Sequence, residues 1–195
     1  MANILKAEFF NRDVLEVAPD LIGKILVRKF DDGSELRLKI KETEAYKGEE
    51  DKACHASKGK TPRTETMYLE AGTIYIYLIY GMYYMLNFVT SKEDVPQAVL
   101  IRAAGDYNGP GKLTKALKID KNFNKQNIAT CPNLWVEDDS KKIKLKTSTR
   151  IGIDYAGEFW ANKQWRWILT RSLGFELEIF AKFRFKVLSI FEKSV

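Results

Sequence analysis

The chain has 195 residues, 45% of them hydrophobic, with 12 glycines, two cysteines, one histidine and a formal net charge of +6. That is globular, and long enough for one compact domain with a buried core. A disulfide scaffold is excluded because Cys54 and Cys131 lie far apart and form no CxxC, and a Cys/His metal site would have only His55 to draw on. The excess of lysine and arginine suits a polyanionic partner, although it also serves solubility.

The opening MANILKAEFFNRD has neither a continuous apolar core nor a cleavage site, so it reads as no signal peptide. No stretch suits a membrane span. A reducing, bacterial-type cytoplasm is the expected setting. NRDVLEVAPDLI then places Val14, Leu15, Val17, Ala18, Leu21 and Ile22 at helical spacing, with Pro19 expected to start a second short helix. KILVRKF, DDGS and ELRLKIKETEAY predict strand, tight turn and strand. GTIYIYLIYGMYYMLNFV predicts two strands meeting near Tyr80 and Gly81, and a tip over about residues 80–84 would set Tyr77 across from Asn87.

QAVLIRAA predicts a short buried strand, and GPGKLTKALKI a helix that turns Leu113, Leu117 and Ile119 inward. NLWVEDD and KIKLKTSTRIGI read as strands around a charged turn, with one more in QWRWILTRS. The sum is an α+β fold: a single domain over residues 1–173, with a mostly antiparallel curved sheet, flanking helices and an aromatic hairpin. Residues 174–195 form an extension in which Phe175, Ile179, Phe183 and Val187 fall four apart. A docked helix, a strand pair and an unordered tail all remain open there.

Chemistry is suggested where the phase of ELRLKIKETEAY is followed. Leu36, Leu38 and Ile40 share a core-facing side, and continuing by twos brings Glu42, Glu44 and Tyr46 to it. Burying an unpaired carboxylate is costly. Either the strand frays and both glutamates are solvated, the commoner fate of strand ends, or one serves as a general base at a cavity edge. His55, the sole histidine, follows shortly. After it, SKGKTPR brings Lys58, Lys60, Thr61 and Arg63, a mixture suited to phosphate contacts, although basic loops are commonly just solvated. GPGK offers an anion site around Lys112, but Asp106 stands where a P-loop requires glycine.

With those residues in view, the chain resembles the alkyladenine DNA glycosylase family, the 3-methyladenine DNA glycosylases unrelated to the helix-hairpin-helix type. The matching stretches are LIGKILV, ETEAY with the following ED.A.H, TPR, GTIYIYLIYGMYYMLN, VLIRA, GPGKL..AL, and RIGI with AGEFW. They keep family order over roughly residues 9–172. GPGK alone is weak; ETEAY followed by YIYLIYGMYYMLN is highly specific.

The resemblance implies a monofunctional enzyme without lyase activity. It would excise purines of the 3-methyladenine, 7-methylguanine, hypoxanthine and ethenoadenine class from double-stranded DNA, as a monomer without metal or cofactor. By position, Glu44 matches the residue that activates water, with Arg102 and the Ile151 carbonyl holding that water. Tyr46, His55 and Tyr77 match the walls around the extruded base, and Asn87 matches the residue that screens exocyclic groups. Tyr80 matches the side chain that enters the duplex, with Met82 beside it, and Lys58, Lys60, Thr61, Arg63 and Lys112 are carried as DNA contacts. Glu42 is assigned no role in the water site, and Tyr75, Tyr83 and Tyr84 are left to packing. A non-enzymatic nucleic-acid-binding β-domain would explain the aromatics and charge equally, but not an inward Glu44. A purely structural role for the tyrosines would predict no DNA affinity.

Overall fold

The computed structural model describes residues 3–139 and 143–170. The elements run α1 (Ala7–Phe10), α2 (Val14–Leu21), β1 (Ile25–Lys29), β2 (Glu35–Lys47), β3 (Ile74–Ile79), β4 (Tyr83–Thr90), β5 (Gln97–Ala104), β6 (Tyr107–Asn108), α3 (Pro110–Ala116), β7 (Leu134–Glu137), β8 (Leu145–Ser148), α4 (Glu158–Ala161) and β9 (Arg166–Leu169). The expected extension at 174–195 lies outside the described residues. Among those residues no helix is long and apolar enough to cross a membrane.

The nine strands form one sheet in the order β3-β4-β5-β2-β1-β7, with β6 on β5 and β9 joining β2 to β8. The pairings are antiparallel. The fold is thus α+β, as the pattern of short strands and few helices predicts. β2 is the spine: Glu35–Lys39 pairs with β1, and the segment from Ile40 onward pairs with β5 and β9.

Along β2 the core changes sides. Leu38 and Ile40 belong to the main apolar cluster, but so does Ala45, of opposite parity. The ladder with β5 slips between Ile40 and Glu42 and again between Glu42 and Thr43. β5 follows suit, with Val99 and Ile101 in the cluster at one end and Ala104 at the other. Beyond the slip Thr43 faces α2, donating its hydroxyl to the Ala18 carbonyl at 2.8 Å. Counting by twos from Ile40 therefore reaches the right carboxylate by the wrong route. Glu44 and Tyr46 point away from the α2 core, toward the sheet's other face, where a bulged ladder can re-aim side chains.

Two local expectations are corrected. Pro19 starts no second helix and sits inside α2, where too little helix remains for its missing donor to matter much. The hairpin register also differs. Tyr75 lies opposite Asn87 and Tyr77 opposite Met85, because pairing continues to Ile79 and Tyr83 and shortens the tip to Tyr80–Met82. Tyr80 (φ 52°) and Gly81 (φ 67°) are both left-handed, and the Met82 N–H closes the turn on the Ile79 carbonyl at 3.2 Å. Glycine enters this region freely, whereas a tyrosine held there is strained.

α3 matches its pattern, burying Leu113, with Leu117 and Ile119 buried just beyond it. The Thr114 hydroxyl donates to the Tyr84 carbonyl at 2.8 Å, fixing α3 to the hairpin. A Cβ at Gly111 would lie 2.8 Å from the Tyr83 ring, so this approach of helix to hairpin needs glycine. The strand expected through KIKLKTSTRIGI ends at Ser148, and the chain continues as a loop through Arg150 and Ile151.

Candidate active site

The face of the sheet away from α2 forms a cavity of about 670 Å³. Tyr46 of β2, Tyr75 and Tyr77 of β3, Asn87 of β4 and Arg102 of β5 line it, with His55 from a short 3-10 turn and Ile151 from a loop. Period-two alternation supplies this wall, since side chains two apart share a face.

Glu44 is wholly buried behind that wall. Its Oε1 accepts the Ile151 backbone N–H at 2.9 Å and lies 3.4 Å from an Arg102 Nη1, while Oε2 accepts the Tyr46 hydroxyl at 2.9 Å. Burial raises its pKa above the ordinary carboxylate value; Arg102, the Ile151 N–H and the Tyr46 hydroxyl oppose that rise, and Glu42 adds to it. The resemblance implied the Ile151 carbonyl, whereas the contact with Glu44 here is made by the Ile151 N–H.

The Tyr46 hydroxyl is pushed well above its usual pKa, by burial first and the Glu44 charge second, so it remains a donor. His55 is held neutral: burial, then Arg63 and Lys58, bring its pKa down to about 4. Its Nδ1 is 3.0 Å from the Tyr75 hydroxyl and its ring stands edge-on to Tyr77, with centroids 4.5 Å apart. Tyr75, expected to be mere packing, thus lines the cavity and meets a second wall residue, His55.

Asn87 is buried, and its amide nitrogen donates to the carbonyls of Tyr75 (3.1 Å) and Met85 (3.2 Å). Both N–H bonds are thereby used. Two carbonyls claim those hydrogens and leave the amide its acceptor oxygen.

At the rim, Tyr80 is 82% exposed and Met82 65% exposed, which leaves the hairpin tip bare. Arg63 and Lys112 reach the cavity lining. Lys58, Lys60 and Thr61 stand away from it. Lys60 is engaged with Asp94 at 3.2 Å and lies over the Tyr68 ring, and the Thr61 N–H is taken by the Thr64 hydroxyl at 2.9 Å.

A buried ion pair escaped the sequence reading. Arg150 donates to both carboxylate oxygens of Asp51, reaching Oδ1 at 2.9 Å, and to the Ala45 carbonyl, also at 2.9 Å. Its guanidinium lies 5.0 Å from the ring centres of both Tyr46 and Trp165. Asp51 also accepts the N–H groups of Lys47 and Ala53. This pair ties β2, the segment that carries His55 and the loop that carries Ile151 into one body. The signal was present, since Arg150 opens RIGI and Asp51 lies in the quoted ED.A.H.

The site can therefore hold a flat aromatic group between rings, beside a carboxylate of raised basicity. The family model described as methylpurine-DNA glycosylase matches residues 8–107 and 106–173. A protein of Natranaerobius thermophilus, provisionally named 3-methyladenine DNA glycosylase, is 42% identical over 189 residues, covering 85% of this chain and 94% of that protein. One of the same name from Methanocella arvoryzae is 44% identical over 183 residues, covering 84% of this chain and 90% of its own. On the matched motifs, and on identities sustained across most of both chains, this protein belongs to the methylpurine-DNA glycosylase family.

Proposed function

We propose that this DNA glycosylase removes alkylated or deaminated purines from duplex DNA by extruding the nucleotide and directing water at the N-glycosidic bond. It works as a monomer, without metal, cofactor or lyase step. The observation that carries the reading is a buried carboxylate, Glu44, whose three partners Tyr46, Arg102 and Ile151 all line one aromatic cavity.

A base inside a duplex is out of reach, so the nucleotide rotates out at an unstacking cost of a few kcal/mol. Tyr80 and Met82, exposed at the hairpin tip, fill the gap it leaves. Tyr46, Tyr77 and neutral His55 stack on the extruded base, and an alkylated, cationic purine gains about 0.5–2 kcal/mol from such ring faces. The Asn87 amide, anchored to two carbonyls, screens exocyclic groups by its fixed position. Glu44 takes the proton of the attacking water, and a raised pKa makes it a better base near neutrality. Glu44 is buried behind the aromatic wall, which guards it from bulk solvent. Arg63 and Lys112 at the rim, with Lys58, Lys60 and Thr61 further out, face the phosphates.

The test is release of free base from duplexes carrying hypoxanthine or methylated purines, with strand nicking scored before alkali. Base release without nicking supports the reading. Binding without release would favour a non-enzymatic nucleic-acid-binding domain.

A further inference from the structure

A second carboxylate stands beside the first. Glu42 Oε1 accepts from Arg102 Nε at 3.1 Å and from an Arg166 Nη1 at 2.9 Å. Arg102 uses its other edge toward Glu44, at 3.4 Å. Arg166, on β9, is fixed in turn by the Thr149 carbonyl at 2.6 Å and the Ser148 hydroxyl at 2.9 Å, on the segment leading into Ile151. Charges of alternating sign thus run Arg166, Glu42, Arg102, Glu44. All four side chains are at most 18% exposed, so they are only weakly screened.

The distances carry the argument. A relaxed arginine–carboxylate pair closes to about 2.7–2.9 Å and is frequently bidentate. Arg102 is not so placed on Glu44, because its Nε edge is taken by Glu42. We propose that Glu42 is a positioning residue for base excision: it holds Arg102 at the edge of Glu44 and keeps it from closing a full bridge. Arg166 acts one step further back, anchoring Glu42. A closed bridge would neutralise Glu44 and fill the space in which a water can approach it. The inference rests on the reading of Glu44 as the general base.

The sign of the effect follows from the groups that face Glu44. Arg102 on β5, the Ile151 N–H and the Tyr46 hydroxyl favour its charged form, while burial and Glu42 oppose it. Tyr77 of β3 and Arg150 behind Tyr46 complete the surroundings. Removing the Glu42 charge deletes a like charge and frees Arg102 to approach. Both changes lower the Glu44 pKa, weaken it as a base and move its ionisation to lower pH.

The experiment is single-turnover excision of hypoxanthine from duplex DNA across the pH range, with lesion-duplex affinity measured in parallel. Glu42→Gln should lower the plateau rate by about tenfold to a hundredfold, the scale of a misplaced catalytic contact. It should shift the acid limb to lower pH and leave affinity within about twofold, because Glu42 does not line the cavity. Glu42→Asp keeps the charge and should lower the rate with the limb unmoved. A wild-type rate in Glu42→Gln, or a slower rate with an unmoved limb, overturns the proposal. If Glu42→Gln does not fold, a Glu42→Asp profile identical to wild type in rate overturns it instead. Glu44→Gln in the same series separates the two readings. Retained excision there defeats the base assignment itself, whereas its loss alongside an unaffected Glu42→Gln defeats only the positioning role.

Discussion

The Ile151 backbone N–H donates to Glu44 Oε1 at 2.9 Å, so a strand carboxylate is held by a main-chain group 107 residues later in the chain. A main-chain donor cannot rotate away, and it tolerates an amide oxygen as readily as a carboxylate. Glu44→Gln should therefore fold normally and keep its place. Base release should fall by at least about 10²-fold, the usual scale for losing a general base. Affinity for lesion duplex should stay level or rise, since one negative charge near the phosphates is gone. Near-wild-type excision of hypoxanthine would sink the assignment, and a cooperative unfolding transition lost at 25 °C would make Glu44 a structural residue.

Tyr80 is held at a left-handed φ of 52° while 82% exposed, so its strain is not offset by burial of the ring. Tyr80→Gly should raise thermal stability by up to about 1 kcal/mol, the cost of the left-handed backbone. The same change should weaken binding to lesion duplex more than to single strands, because only a duplex offers a gap to fill. Equal losses on both substrates would refute the wedge.

Arg63 lines the cavity, whereas Lys60 is committed to Asp94 and to the Tyr68 ring. Each phosphate contact contributes about 0.9 to the slope of log affinity against log salt. Arg63→Ala should flatten that slope by about one contact, and Lys60→Ala by less. Matching slopes in the wild type and Arg63→Ala would mean that the loop is only solvated surface.

His55 has its pKa lowered from 6.5 to about 4 by burial beside Arg63 and Lys58. The unfolded chain therefore binds a proton that the folded one refuses throughout that window. The stability involved is fully present above about pH 6.5 and is lost as pH falls toward 4. Allowing for partial exposure, the loss is about 1–3 kcal/mol. His55→Gln, which cannot titrate, should flatten this part of the stability profile in denaturant melts. An unchanged acid slope would show that His55 is not held neutral.

What could be read from the sequence divides along the range of the forces involved. The β1–β2 hairpin, the α3 face formed by Leu113, Leu117 and Ile119, and the Tyr80–Gly81 turn are set by neighbours a few residues apart, so periodicity and turn chemistry found them. Asn87 was placed opposite Tyr77 because a tip of five residues was assumed, and pairing through Ile79 and Tyr83 moved the register to Tyr75. Whether one strand of the hairpin slides two residues along the other depends on packing against α3, which no local pattern records. The Asp51–Arg150 pair was missed for the same reason, since its partners are 99 residues apart. The site residues came from motif likeness. Their hydrogen-bond partners, including Tyr75 at His55 and Glu42 beside Arg102, came from the fold.

The paired slips in β2 and β5 bear on how such chains can change in length. Ile40 and Thr43 face the α2 side although three residues apart, so β2 carries one residue between them beyond regular alternation. Deleting that residue would leave Glu44 facing the cavity. Deleting Ala45 from the regular run that follows would instead exchange the faces beyond it and turn Tyr46 out of the cavity wall. The turn at Asp31–Ser34 carries no such constraint, because neither strand's facing depends on how many residues it holds. Length variation among functional relatives should therefore collect in that turn and in the slipped segment, and be absent from residues 43–46, where one residue too few would cost the protein its chemistry before its fold.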